Sequence, residues 1–385
     1  MIKINTEKIR QVASKIALGV EDDRSSPLTE LLEFELKDKV LTLKATNKEY
    51  FLSVTLVDAS DSDEYFHVTI VANSFLQMIT KTTTPDIKLS VTDAGLVFEG
   101  NGKYIFPLTL DGEETVSLPT IEWGEEEVLD LEMDGSILAS IQKYNSKELS
   151  KDVIVKPIQR LYYVDNHGAL TFTDGACVNE FELEKEFKVL FNDRLVQLFK
   201  LFDGEKVRMQ LSKKKFNDDI TQMRVKFTGR NIELTAVLTD TDMVDQYPAI
   251  PVRQLAEEEY PGSVSVDKNT ILKALERLSI LDKRTSDNKV DLKKIGKLHF
   301  TAEGLEIKDA KGINFETIPY VNSSYEGDFN SFIDLTDLTK HININNNETV
   351  NIKFGTGDAI MLVRKGIKQV IPELEDPTEI INTLG

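Results

Sequence analysis

The sequence holds a single cysteine, Cys177, which excludes a disulfide framework and fits a reducing compartment. It has no apolar run near the ~18 residues of a membrane span. Its first residues, Met1-Ile2-Lys3-Ile4, read as a strand and lack the charged and apolar regions of a secretion signal, so a cytoplasmic protein is expected. No G-x-x-x-x-G-K-[ST] loop is present, and Gly100-Asn101-Gly102 and Gly355-Thr356-Gly357 read as hairpin turns. The histidines, His67, His167, His299 and His341, are scattered without metal-ligand spacing. Asp240, Asp242 and Asp245 are followed by neither the glycine nor the distal Glu of a calcium loop, which favours an acidic crossing loop. Ser/His/Asp or Cys/His sets can be assembled only by free choice of residues. No enzyme, cofactor or metal is therefore expected.

What is present is acid: 65 Asp and Glu against 46 Lys and Arg, a net charge of −19. That balance argues against a sheath of protein around nucleic acid, because phosphate contacts need local positive charge. It leaves room for a protein that gathers its cations on one surface and repels a polyanion everywhere else.

Such a surface is written repeatedly into the chain. From Thr6, read as an N-cap, Ile9, Val12, Ala13, Ile16 and Ala17 form one apolar stripe, with Lys8, Gln11 and Lys15 on another face. The device returns about every 60–75 residues. Asn73, Gln77 and Lys81 oppose Phe75, Leu76 and Ile79; Ser140, Lys143 and Lys147 oppose Leu138 and Ile141; Arg194 and Gln197 oppose Leu195, Leu198, Phe199 and Phe202. Lys273 and Arg277 accompany Ile271, Leu272, Leu275 and Leu278, and Thr336, Thr339 and Lys340 accompany Leu335 and Leu338. Each polar face carries a cation. Six independent surface helices would look the same, so the matching phase is the informative feature. Lys213-Lys214-Lys215 reads either as a solvated hairpin tip or as a DNA contact.

Between the helices run alternating segments with turn residues: Leu31 to Leu36, Val40 to Ala45, Tyr50 to Val57, Phe66 to Val71, and the meander from Ile87 to Leu108. Breaks fall at Leu118-Pro119-Thr120-Ile121-Glu122-Trp123 and at Tyr247-Pro248-Ala249-Ile250-Pro251. The expected division is 1–123, 124–248 and 249–385, three similar domains of two strand–helix–strands halves each, with a tail from Asp376 to Gly385. Antiparallel sheets with helices on one face make this an α+β fold.

At this point the chain resembles the bacterial sliding clamp, the beta subunit of the replicative DNA polymerase, in a divergent version that is bacterial or phage-encoded. Leu31-Leu32-Glu33-Phe34 through Leu41-Thr42-Leu43-Lys44-Ala45-Thr46-Asn47 is similar to the family's first hairpin, and Leu118 to Trp123 to its first crossover. Thr173-Asp174-Gly175 resembles its A-T-D-G-H-R-L stretch, Tyr325-Glu326-Gly327 its Y-x-G, and Val370-Ile371-Pro372 its terminal V-M-P. The match is collinear over nearly the whole chain. It departs where His-Arg-Leu becomes Ala176-Cys177-Val178, in a shortened second crossover, and in the tail past Leu374.

The resemblance implies a clamp fold: two chains closing head to tail into a ring, with helices lining a hole for duplex DNA. The DNA-facing set would be Lys8, Lys15, Arg24, Lys81, Lys143, Lys147, Lys151, Arg194, Lys273, Arg277 and Lys340. A partner peptide from the replicative polymerase or the clamp loader would lie against Pro157, Leu161, Thr173, Gly175, Val178, Pro248, Met361, Val370, Ile371 and Pro372. The homodimer seam would set Phe106 and Leu108 beside Ile271 and Leu272; for these four an internal core is the alternative. The rival functions are an acidic structural or assembly protein of a phage, and a DNA-modifying enzyme with an unrecognised site.

Overall fold

The computed structural model describes residues 1–21, 26–59, 64–145, 156–173, 175–216, 221–238, 242–282, 295–309 and 312–376. The described residues contain eight α-helices: α1 (Thr6–Ile16), α2 (Ala72–Lys81), α3 (Gly135–Tyr144), α4 (Asp193–Gln197), α5 (Asp242–Gln246), α6 (Ala249–Glu257), α7 (Lys268–Asp282) and α8 (Leu335–Asn343). Six of them, all but α5 and α6, follow a strand at once or after one residue, and five of those six share one way of starting. Asn5 and Asn192 accept hydrogen bonds from the first backbone N–H groups of α1 and α4, while Asp134, Asp267 and Asp334 do the same for α3, α7 and α8. The cap of α1 is thus Asn5, and Thr6, read from sequence as the cap, is the buried first residue of the helix. Along α1, Ile9, Val12, Ala13 and Ile16 are buried as the stripe predicts.

Helices α5 and α6 occupy the stretch read as a crossover loop. Pro251 is tolerated because it falls in the first turn of α6, where a backbone N–H has no partner within the helix. The Pro248 carbonyl takes the Val252 N–H at 3.1 Å, and Val252 and Ala256, four residues apart, are the buried side of α6.

Contacts group the chain into two compact units, 1–142 with 183–245 and 143–182 with 246–385. In the first, Ile2–Asn5, Asp86–Thr92, Gly95–Glu99 and Lys103–Phe106 form an antiparallel four-stranded sheet in that order. A second sheet of eight strands runs Glu126–Asp134, Lys206–Lys215, Thr221–Thr228, Ile232–Val237, Tyr50–Leu56, Val40–Thr46, Leu31–Lys37, Phe66–Val71. Its centre is the pairing of Ile232–Val237 with Tyr50–Leu56, in register from Ile232↔Val54 to Ala236↔Tyr50. That ladder carries one sheet across the sequence break near residue 123. Phe75 packs edge-on against Phe34, Phe98 and Phe106 at centroid distances of 4.9, 6.2 and 5.6 Å.

The second unit repeats the device. Strands run in the order Tyr162–Asp165, Gly168–Phe172, Ala176–Glu180, Ile367–Pro372, Ala359–Arg364, Thr349–Phe354, Gly262–Asp267, Tyr320–Ser323. The joint is Ala176–Glu180 against Ile367–Pro372, with Ala176↔Val370 and Val178↔Lys368. A four-stranded sheet follows, Phe315–Ile318, Leu305–Asp309, Ile295–Phe300 and Phe329–Asp334. Between the sheets and α7 and α8 lies a core that includes Ile271, Leu275, Leu338, Ile342 and Ile371, with Phe300 stacked on Phe354 at 3.7 Å.

One buried charge fixes the first crossover. The Glu33 side chain, 4% exposed, accepts from Lys44 Nζ at 2.8 Å and from the Leu118 backbone N–H at 2.7 Å, and lies 3.1 Å from His67 Nε2. Lys44 also reaches Glu35 at 2.7 Å, and this hydrogen bond holds the Glu35 carboxyl below the usual range. Removing Glu33 strands Lys44 beside a half-satisfied site and leaves Leu118 N–H without its acceptor. Urea unfolding of Glu33→Ala is expected to show a loss of about 3 kcal/mol. Glu35→Ala, which removes a more exposed partner, should cost under about 1 kcal/mol.

Candidate functional site

The helix cations divide by what surrounds them. Lys8, Lys81 and Lys273 are exposed and form no ion pair among the described residues. The others are engaged. Lys15 lies 3.4 Å from Glu205, Arg194 3.5 Å from Glu49 and Lys340 3.6 Å from Asp337. Lys143 donates to Asn346 at 2.6 Å and stands 5.2 Å from the centroid of the Tyr144 ring. Arg277 is locked in a two-armed pair with Glu316, at 2.6 and 2.8 Å. It pairs with the strand Phe315–Ile318, so it is not the free cation that its place on the helix's polar face suggests. Arg24, Lys147 and Lys151 lie outside the described residues. The lysine run is also answered by acid: Lys214 sits 2.8 Å from Glu125 and 3.2 Å from Glu122, and Lys213 3.5 Å from Glu126. Of its two readings, the solvated hairpin fits this pairing better.

The residues expected to take a partner peptide all fall in the second unit, and strand alternation sorts them. Ile371 and its cross-strand partner Ile360 belong to the core that contains Leu338 and Ile342 of α8. Val370, one residue earlier, faces the other way, with Met361 and Ala176 beside it in register. On that opposite face lies α6, packed on the strands Gly168–Phe172, Ala176–Glu180 and Ile367–Pro372. Tyr247 precedes it. Its ring stacks on Tyr163 at 5.1 Å and meets Phe172 edge-on at 5.3 Å, while its hydroxyl donates to the Leu170 carbonyl at 3.0 Å.

The face is therefore layered. Leu161, Val178, Met361 and Val370 are buried beneath it, whereas Pro157 is exposed and Thr173, Gly175, Pro248 and Pro372 are half-exposed. Ile371, named with them on sequence grounds, is a core residue that no peptide reaches. Gly175 is required where it stands: a Cβ there would lie 2.2 Å from the Val370 carbonyl oxygen. The same holds for the seam candidates. Ile271 is fully enclosed in the core and Leu272 packs against it, and Phe106 is buried on Phe75 and Phe98. Leu108 is half-exposed and bridges to Ile70.

On the core side of the same strands lies a buried polar set that the sequence did not announce. Gln369, fully buried, donates from Nε2 to His341 Nδ1 at 2.8 Å and to the Tyr144 carbonyl at 3.4 Å. Arg364 donates to Gln369 Oε1 and to the His341 carbonyl, with its guanidinium 4.7 Å from the Tyr144 ring centroid. The Cys177 thiol donates to the Tyr144 carbonyl at 3.3 Å. Burial, then the charges of Arg364 and Lys340, push His341 down to about 4.

Because His341 is neutral in the fold but ordinary when unfolded, its contribution is complete above pH ~6.5 and is lost as pH falls toward 4. Wild-type stability is expected to drop by up to about 3 kcal/mol across that window from this group alone. Urea titrations at pH 7 and pH 4.5 should show a smaller drop for His341→Asn than for the wild type. Equal drops would place the acid sensitivity elsewhere.

No family model matches the chain, and no curated protein sequence does. Solved structures match it over nearly its whole length. The DNA polymerase III beta chain of Streptococcus pneumoniae TIGR4 is 15% identical, with a TM-score of 0.72 over 97% of this chain and 100% of that one. The sliding clamp of Bacillus subtilis is 15% identical, with a TM-score of 0.72 over 97% and 98%. DNA polymerase III subunit beta of Borrelia burgdorferi, solved in complex with a natural product, is 16% identical, with a TM-score of 0.75 over 97% and 99%. The fold of this chain is the sliding-clamp fold, and it is α+β.

Proposed function

We propose that this chain is a DNA polymerase processivity factor, a ring of two chains that encircles duplex DNA and tethers replication proteins to it without catalysing a reaction. The observation that carries the reading is the clamp fold over 97% of the chain at TM-scores of 0.72 to 0.75. In this reading each chain supplies three domains, 1–123, 124–248 and 249–385, and works in the cytoplasm of a bacterium or a phage-infected cell. Among the described residues no helix is long and apolar enough to cross a membrane.

Ring closure needs two complementary ends, and the sheets offer them. Lys103–Phe106 ends one four-stranded sheet and Phe315–Ile318 ends another, each with one side unpaired within its sheet. Tyr104 and Ile105 on the first edge, and Ile313 and Phe315 at the second, are exposed apolar side chains. Free edges with apolar neighbours invite a strand from a second copy. These edges replace Ile271 as the seam.

DNA would be held by Lys8, Lys81 and Lys273, with the paired cations contributing less because each already faces a carboxylate. Phosphate contacts of this kind carry no base specificity, so the ring would slide. Partner peptides from the polymerase and the clamp loader would bind along Thr173, Gly175, Pro248 and Pro372, over the layer formed by Val178, Met361 and Val370.

Retention on closed circular DNA tests the ring. The wild type should stay on circles and leave when they are linearised; equal loss from both would end the topological reading. The triple variant Lys8→Glu, Lys81→Glu, Lys273→Glu should leave circles at least about tenfold faster while melting at the wild-type temperature. Unchanged retention would remove those helices from the DNA path. Light scattering over a dilution series tests the seam: the wild type should give the mass of two chains, and Ile105→Glu combined with Phe315→Glu that of one.

A further inference from the structure

Helix α6 departs from the other helices in what it leaves exposed. Along α1, α2 and α8 every exposed position is polar. α6 buries Val252 and Ala256 toward the strands Gly168–Phe172, Ala176–Glu180 and Ile367–Pro372, and leaves Ile250 72% and Leu255 47% exposed on its outer side. Pro251, also exposed, follows Ile250 and stands one turn before Leu255. Residues four apart lie above one another on a helix, so the three form one apolar strip.

The second departure is in charge. The C-terminal end of a helix carries partial negative charge and favours cations. Helices α1, α2, α3 and α8 accordingly place Lys15, Lys81, Lys143 and Lys340 in the last turn. α6 has no basic residue there and ends in Glu257, Glu258 and Glu259, all exposed and without an ion pair among the described residues. Its single basic residue, Arg253, is turned to Asp165 at 2.8 and 3.0 Å and does not answer them. The negative field extends past the helix: burial, then the charges of Glu258, Glu373 and Asp358, push the Tyr260 hydroxyl up to about 12. Three acids that oppose the helix dipole and one another are unfavourable within the chain, and become favourable once cations reach them from outside.

We infer that the outer side of α6 docks a short amphipathic helix of a protein partner, its apolar residues on Ile250, Pro251 and Leu255 and its Lys or Arg residues against the three glutamates. Charge complementarity selects this occupant. The acidic end repels nucleic acid and anionic membrane, and it repels a second copy offering the same face from a chain of net charge −19. With α6 about 13 Å long, the face takes about two turns of the partner. This surface adds to the peptide face proposed along Thr173, Gly175, Pro248 and Pro372, and needs neither a ring nor DNA.

The test uses the full chain and a fluorescein-labelled helical peptide of about 14 residues, with leucines on one face and lysines toward its end. Fluorescence anisotropy should show saturable binding that weakens as salt rises from about 0.05 to 0.5 M. The same peptide with glutamates for the lysines should show none. Glu257→Gln, Glu258→Gln and Glu259→Gln together should weaken binding about tenfold and melt at or above the wild-type temperature, because the acids oppose the dipole. Ile250→Ser with Leu255→Ser should weaken it at least about tenfold. Asp111→Asn, Glu113→Gln and Glu114→Gln remove the same charge from an exposed hairpin of the first unit and should leave binding unchanged. Unchanged binding in either α6 variant would overturn the inference. So would an equal loss in the hairpin variant, which would mean attraction to an acidic chain at large. A lower melting temperature in the glutamine variant would make the acids structural and also overturn it. A smaller particle mass for Ile250→Ser with Leu255→Ser, in the absence of peptide, would overturn it too, since a second copy would then be the occupant.

Discussion

Antiparallel strand pairing at two joints is the interaction on which the rest of this structure depends. Ile232–Val237 against Tyr50–Leu56 and Ala176–Glu180 against Ile367–Pro372 each join segments far apart in sequence into one ladder. An open strand edge is a row of unsatisfied donors and acceptors. Each joint removes two such edges at once, which is why contacts follow the sheets and divide the middle of the chain between two units. Several sheet edges stay open; two of them, Lys103–Phe106 and Phe315–Ile318, carry exposed apolar side chains and are where a second copy would add in the proposed ring.

The second joint also organises the face proposed to take a peptide. Because side chains alternate along Ile367–Pro372, Gln369 and Ile371 turn toward α8 while Val370 turns toward α6. One strand thereby holds the apolar layer under α6 on one side and a rigid polar set on the other. Gln369 is the pin, tied to His341, Arg364 and Tyr144.

Part of the charge in this molecule is consumed locally. Acidic and basic residues that the composition counts separately meet as pairs: Lys44 with Glu33 and Glu35, Lys214 with Glu122 and Glu125, Arg277 with Glu316. On the helix faces, Lys8, Lys81 and Lys273 stay without an ion pair among the described residues. In the proposed function that would suffice, because a ring that holds DNA and yet slides needs only a weak, unspecific attraction.

The sequence by itself determined the local architecture. Five of the six strand–helix starts carry an Asn or Asp just before the helix, the 3.6-residue apolar stripes are legible in Ile9, Val12, Ala13 and Ile16, and the order of short motifs pointed to the clamp fold. These are properties of contiguous residues, where periodicity and capping act over a turn or two. Tertiary structure decided what depends on distant partners. It made Asn5 and not Thr6 the cap, turned the crossover near Pro248 into two helices because Val252 and Ala256 had a sheet to bury against, enclosed Ile271 and Ile371 in the core, and tied Arg277 to Glu316. Whether a cation is free, or an isoleucine exposed, is set by which segment folds back over it, and neither residue type nor spacing records that.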